Sequence, residues 1–108
     1  MTTDKNGIVN PKRISLFEED EGRTRSFLDV EIKDDGSLEM SGYDIGEWPE
    51  RKFGNEDYEY RVTVKPEDKD TVLLALIQDR FSNDFGGSNK FMEFLKQKRV
   101  PYNFVSWF

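Results

Sequence analysis

Apolar and polar residues alternate between positions 57 and 64 and then change to a helical spacing. Every second position from Tyr58 to Val64 is apolar, which is the period of a half-buried strand. Pro66 and the two acids after it predict a helix start, because proline is tolerated at the first helical position and acids suit the positive end of the helix dipole. The helix then carries an apolar stripe formed by Val72, Leu73, Leu76, Ile77 and Phe81. We expect this stripe to lie on the sheet that contains the strand.

Residues 27–34 and 37–43 predict an antiparallel hairpin. Leu28, Val30 and Ile32 alternate with charged residues, and the same alternation resumes at Leu38. Asp-Gly between two alternating runs is among the strongest short signals for a hairpin turn. We expect one face of this hairpin to meet water. A further short strand is predicted over residues 13–17.

The last third of the chain predicts a second helix and a final strand. Ser88 is a natural N-cap for a helix over residues 89–99. Lys96, Lys98 and Arg99 lie at its C-terminal end, where the helix dipole favours cations, so this basic group requires no anionic ligand. Pro101 follows the helix, and residues 102–107 then alternate with apolar residues on both sides. This pattern predicts a strand that is covered on both faces or lies at an interface.

These elements predict an α+β fold with an antiparallel sheet of four to five strands and two helices packed on one face. The order is strands over 13–17, 27–34, 37–43 and 57–64, helices over 66–81 and 89–99, and a last strand over 102–107. A chain of 108 residues is expected to form a single domain. Residues 1–12 are expected to be a flexible lead-in.

The net charge of −6 is unevenly distributed along the chain. Residues 1–79 hold 20 acidic and 11 basic side chains, whereas residues 80–108 hold 2 acidic and 5 basic ones. An acidic body repels phosphate backbones, which argues against nucleic-acid binding, and it would steer a basic protein partner toward the molecule. The alternative is that the charge only keeps a small protein soluble.

Two stretches are candidates for contact with such a partner. One is a run of four acids that ends at Gly22, and the other is the irregular stretch of residues 42–54 around Trp48. The candidate partner-binding residues are Glu18, Glu19, Asp20, Glu21, Tyr43, Glu47, Trp48 and Glu50. Tryptophan is over-represented among binding hot spots, although Trp48 could instead anchor its loop to the body. The acidic run could equally be a solvated turn, and its spacing does not match a calcium loop.

Several chemistries are excluded by residue type. The chain has no His and no Cys, which removes Ser-His-Asp and Cys-His sites and zinc sites built from these residues. Gly86-Gly87 lacks the Lys and Ser or Thr of a phosphate-binding loop. We therefore expect no enzyme activity, no cofactor and no metal, with a carboxylate-dependent enzyme as the remaining alternative. The absence of cysteine, of a long apolar segment and of a signal pattern predicts a cytoplasmic protein that does not bind membranes.

Three short stretches resemble a group of small uncharacterised acidic bacterial proteins. They are Asp35-Gly36-Ser37-Leu38, Gly42-Tyr43-Asp44-Ile45-Gly46, and Tyr58-Glu59-Tyr60 with the helix that follows. The resemblance covers about residues 27–81, and the closing Pro101-Tyr102-Asn103-Phe104 is also similar. Some proteins of this size and charge act as immunity proteins for bacterial toxins. The resemblance implies a non-enzymatic protein that binds a basic protein partner, and the alternative is a homodimeric structural or accessory subunit that associates through the C-terminal strand.

Overall fold

A computed structural model describes residues 12–107, in which four strands form one antiparallel sheet. The strands are β1 (Arg13–Asp20), β2 (Thr24–Ile32), β3 (Leu38–Gly46) and β4 (Asp57–Val64), and each pairs with the next along the chain. The helices are α1 (Glu47–Phe53), α2 (Lys69–Phe81), which follows the 3-10 turn Pro66–Asp68, and α3 (Gly87–Gln97). The predicted α+β class and antiparallel sheet are confirmed, and α1 is an additional helix. The predicted lead-in lies outside the described residues except for Lys12.

The strand register gives the sheet one apolar and one polar face. Cross-strand partners share a face, and one row runs through Ile14, Val30, Met40 and Val62. The apolar face consists of Ile14, Phe17, Leu28, Val30, Ile32, Leu38, Met40, Tyr58, Tyr60, Val62 and Val64. The opposite face carries ion pairs between neighbouring strands, such as Arg13 with Asp29 at 2.7 Å. The alternation that the sequence shows is therefore realised as two distinct surfaces.

The predicted β2–β3 hairpin is confirmed, and its turn is closed by Asp35. Gly36 has a φ of 88°, a left-handed conformation that a turn of this kind requires and that glycine adopts without strain. One carboxylate oxygen of Asp35 accepts hydrogen bonds from the Ser37 backbone N–H at 2.9 Å and from the Ser37 hydroxyl at 2.6 Å. These two hydrogen bonds lower the pKa of Asp35, because they favour its charged form.

Replacing Asp35 with asparagine should weaken the dependence of stability on pH. Since the folded-state pKa of Asp35 is lowered, its contribution is present above the ordinary Asp pKa of about 3.9 and is lost as pH falls through the folded value. Urea unfolding of both proteins at neutral and at acidic pH measures the difference. Asp34→Asn is the matched control, because Asp34 accepts no hydrogen bond within residues 12–107. Identical pH profiles for wild type and Asp35→Asn would contradict the assignment.

The predicted packing of the two long helices on the sheet is wrong. α2 and α3 pack against each other, with the Phe81 ring 5.5 Å from the Phe91 ring and 6.2 Å from the Phe94 ring. Among the helices, the sheet is contacted mainly by α1, which lies against β3 and β4. Leu73 and Leu76, which the sequence places on the sheet, are 54% and 61% exposed. The reason is that the chain leaves β4 without turning back over the apolar face, so α2, α3 and the segment after them form a helical arm (residues 69–107).

The start of α3 and the final strand also differ from expectation. Ser88 is not the N-cap, since α3 begins at Gly87 and the Asp84 carboxylate accepts the backbone N–H of Gly86 at 2.8 Å. Asp84 also pairs with Lys90, and this hydrogen bond is the main reason why the pKa of Asp84 is lowered. The predicted strand over residues 102–107 is wrong, because residues 101–107 form no regular structure. Within residues 12–107 the sheet accordingly has four strands.

Residues 12–107 contain almost no buried side chains. Ser37, Gly42 and Pro49 are the buried residues of this range, and no large apolar side chain is among them. The chain has a Cα radius of gyration of 18.5 Å, whereas a compact domain of this length has about 13 Å. No helix within residues 12–107 has the length and apolar character to cross a membrane. The sheet and the helical arm therefore each present apolar surface to solvent.

Candidate protein-binding surface

The fold brings the two predicted candidate stretches together at one end of the sheet. The turn between β1 and β2 lies beside α1, where the Glu47 backbone N–H donates to the Arg23 carbonyl oxygen at 2.9 Å. The Trp48 backbone N–H donates to the Thr24 hydroxyl at 3.1 Å. In an up-and-down antiparallel sheet, the β1–β2 turn and the β3–β4 connection share one end. We call this surface, formed by residues 18–25 and 43–59, the acidic end.

Most of the acidic run belongs to a strand rather than to a turn. Glu18, Glu19 and Asp20 pair with residues 25–27 of β2, so the predicted turn is limited to the residues around Gly22, whose φ is 81°. All of these acids are exposed. The strand places neighbouring side chains on opposite faces, which separates the carboxylates more than a turn does.

Residues 42–54 are regular, contrary to the prediction of an irregular loop. They form the end of β3 and helix α1, with Pro49 in the first turn and Gly54 directly after the last residue. Gly54 has a φ of 75° and its backbone N–H donates to the Glu50 carbonyl oxygen at 2.8 Å, which ends the helix. Proline near the start and glycine after the end of a helix are signals that were present in the sequence.

Trp48 is nearly half exposed, whereas Pro49 beside it is fully buried. Pro49 is therefore the side chain that anchors α1, a role that the sequence had offered as an alternative for Trp48. The indole contacts the edge of the Phe53 ring at 5.8 Å, and Phe53 stacks on Tyr58 at 4.4 Å. Tyr58 in turn lies 5.5 Å from Tyr60. Four aromatic rings thus run from the acidic end onto the apolar face.

The acidic end carries ten carboxylates and four basic side chains. Some of these acids form ion pairs within the acidic end. The Glu47 carboxylate lies 2.6 Å from the guanidinium of Arg51 and 3.3 Å from that of Arg23. Glu18 and Glu50 form no ion pair within residues 12–107. The surface therefore keeps a negative excess after its own cations are counted.

Glu19 and Glu21 lie side by side at the acidic end. A hydrogen bond and the negative charge of Glu21 raise the pKa of Glu19, since two adjacent carboxylates resist carrying full charge together. Both side chains are exposed to solvent. A cationic side chain of a partner that approached this pair would relieve their mutual repulsion.

The structure divides the candidates, and Tyr43 lies in the same cross-strand row as Glu18. Glu21, Glu47 and Trp48 line one shallow hollow, together with Arg23 and Arg51. Tyr43 instead lies on the polar face, opposite Phe27 of β2 and Glu59 of β4. Burial raises the pKa of Tyr43, and the charges of Asp57 and Glu59 add to this effect. Tyr43 therefore belongs to the polar face of the sheet within the acidic end and does not line the hollow at Trp48.

Within the part of the chain that the structure describes, no cluster of three or more Asp, Glu, His or Cys side chains could hold a metal ion. Compared with known proteins, the chain matches no family model, no curated protein and no solved structure. The resemblance to small acidic bacterial proteins therefore stays a prediction. The function has to be inferred from the geometry and charge of the acidic end.

Proposed function

We propose that this protein is a non-enzymatic binding protein whose acidic end recognises a basic protein partner. The observation that carries the proposal is the position of Trp48, which is 45% exposed on a fixed helix beside the acidic run. The partner suggested by the size and charge of the chain is a cationic toxin, which would make the protein an immunity-type inhibitor. We place this encounter in the cytoplasm, because a chain without cysteine suits a reducing compartment.

The arrangement has the physical features of a recognition surface. Binding hot spots are commonly aromatic residues with a polar rim around them, and Trp48 has Glu21, Glu47 and Arg51 around it. Its helix is held by the Thr24 hydrogen bond, so little backbone freedom is lost when a partner binds. The negative excess of the acidic end would accelerate the approach of a basic protein.

Binding should weaken strongly as salt is raised. The immobilised chain is first used to isolate a single protein partner at low salt, and the dissociation constant of the purified pair is then measured by calorimetry. We expect the affinity to fall at least about tenfold between roughly 50 and 500 mM salt, because exposed charges are screened over shorter distances. A complex that is insensitive to salt, or the absence of any partner, would contradict the proposal.

Two matched substitutions test the role of the tryptophan. Trp48→Ala should weaken partner binding by about 10- to 30-fold, the range of a hot-spot residue. Trp107→Ala is the control, since Trp107 is 82% exposed but belongs to the helical arm. Similar losses for both variants would show that general aromatic exposure, and not the acidic end, determines affinity. The contribution of charge is tested in the same way. Glu50→Gln, at the acidic end, should weaken binding, and Glu67→Gln, outside the acidic end, is its control.

A further inference from the structure

The middle of helix α2 is apolar on every side. Residues 72–77 are six consecutive apolar residues, so they cover the whole circumference of the helix. Val72 and Ile77 are half-buried, and α3 packs against α2 at Phe81. The remaining leucines are Leu73, Leu74 and Leu76, which are 54%, 67% and 61% exposed. A helix that is apolar all round is normally buried in a folded protein, so the uncovered side of α2 requires a second surface.

The apolar face of the sheet is also partly uncovered. Ile14, Phe17 and Val62 are 44%, 46% and 58% exposed, and Met40 between them is 37% exposed. These side chains come from β1, β3 and β4, so the exposed area extends across the sheet. A single sheet needs one face buried against another layer to be stable. The same chain thus presents a bare sheet face and a bare helix side that could cover it.

The chain exposes more surface than a compact monomer of its mass. The chain has an accessible surface of 9150 Å², whereas a compact monomer of 12.7 kDa exposes about 6,200 Å². The difference of about 3,000 Å² exceeds the roughly 800 Å² that each partner buries in a standard interface. The excess surface is therefore larger than one side of a standard interface, which leaves room for a second copy of the chain.

The link between β4 and α2 directs the arm away from its own sheet. Lys65 is extended, with φ −61° and ψ 152°, and the 3-10 turn Pro66–Asp68 leads directly into α2. Pro66 lies against the β2–β3 turn, where a Cβ added at Gly36 would be 3.6 Å from the Cβ of Pro66. This contact and the fixed φ of proline hold the link at the end of the sheet. Short, constrained links of this kind favour exchange between chains.

The charges of the two parts are complementary. The sheet-bearing part, residues 12–64, holds 15 acidic and 8 basic side chains. The helical arm holds 4 acidic and 6 basic side chains, with Lys96, Lys98 and Arg99 grouped at the end of α3. An arm from a second copy would therefore be attracted to the sheet before their apolar surfaces meet.

We propose that two copies of this chain exchange their helical arms, so that α2 of each copy covers the apolar face of the other copy's sheet. The exchange is reciprocal and forms a closed twofold dimer, because each copy gives one arm and receives one. It explains why residues 12–107 of one chain hold no buried large apolar side chain. It does not depend on the partner proposed for the acidic end, and it uses α2 rather than residues 102–107 as the contact between copies.

The first test is the mass of the particle in solution. Sedimentation at tens of micromolar should give twice the 12.7 kDa of one chain. Leu73→Glu combined with Leu76→Glu should halve this mass, because the added charges cannot be buried against the sheet. Gln97→Glu is the control, since it adds charge at an exposed polar position of α3 and should leave the dimer intact. A monomeric wild-type chain, or a dimer that survives the leucine substitutions, would overturn the proposal.

The second test determines which chain each arm covers. The chain has no cysteine, so Val62→Cys and Leu76→Cys introduce unique thiols on the apolar face and on α2. The two variants, one with a mass tag, are unfolded together, refolded and treated with a short bismaleimide linker. We expect linked pairs that contain one chain of each kind. A third protein carries both Val62→Cys and Leu76→Cys on one chain. If its linker joins the two thiols of the same chain and the protein stays monomeric, the arm closes on its own sheet and the exchange is refuted.

Discussion

Replacing Gly46 with alanine is expected to lower the free energy of unfolding by about 3–4 kcal/mol. Gly46 has φ 124° and ψ −143°, a backbone region that is open almost only to glycine. A Cβ at this position would lie 2.0 Å from the Arg23 carbonyl oxygen. That oxygen accepts the Glu47 backbone N–H, so it cannot move away without breaking the contact between the β1–β2 turn and α1. The same substitution should therefore displace Trp48 and weaken partner binding.

Gly22→Ala provides the matched control for this prediction. Gly22 has a φ of 81°, but a Cβ there would meet no atom within 4 Å. Only the left-handed backbone is then unfavourable, which amounts to about 1–2 kcal/mol. Urea unfolding of all three proteins at one fixed concentration gives the comparison, since association makes the measured stability depend on concentration. Equal losses for the two variants would mean that the close approach to Arg23 is unimportant.

The β2–β3 hairpin and the start of the helical arm were predictable because their signals are local. Asp35 and Gly36 have the turn chemistry that a tight hairpin requires, and the alternation on both sides sets the register. Pro66 with two following acids likewise indicates a helix start, and the 3-10 turn begins at Pro66. Each of these features depends on a few neighbouring residues and not on the position of a distant element.

The position of α2 was not predictable from its own residues. A stripe at helical spacing can be drawn through residues 72–81, but six consecutive apolar residues leave no side of the helix marked as outer. The sequence therefore could not decide whether α2 covers its own sheet, α3 or another chain. The prediction of a strand over residues 102–107 was wrong for the same reason, since it also depends on a distant element. A strand forms only where a sheet edge is within reach.

The grouping of the candidate residues could have been predicted in part. The acidic run and Trp48 are far apart in sequence, yet four strands that pair in chain order bring the first turn and the third connection to the same end. The exposure of Trp48 could not be read from the sequence, since it depends on Pro49 taking the buried position. The separation of Tyr43 from the hollow at Trp48 depends on strand register, which assigns Tyr43 to the polar face.

Gly42 and Tyr60 should be strongly coupled in a double-mutant cycle. They are cross-strand partners on β3 and β4, and a Cβ at Gly42 would lie 1.9 Å from the Cζ atom of Tyr60. The tyrosine ring therefore covers the glycine. Gly42→Ala should force the ring outward and lower the free energy of unfolding by about 1–2 kcal/mol. Tyr60→Ala should lower the free energy of unfolding by about 2 kcal/mol, because the apolar contacts of the ring are lost.

In the double variant Gly42→Ala/Tyr60→Ala, the alanine methyl occupies the space that the ring has left. The combined loss in unfolding free energy should therefore be smaller than the sum of the single losses by about 1 kcal/mol. Val62→Ala is the control partner, because Val62 lies opposite Met40 in the next row of the apolar face and should be additive with Gly42→Ala. Additive losses for Gly42 and Tyr60 would show that the ring does not lie on the glycine, and the aromatic row from Trp48 to the apolar face would then end at Tyr58.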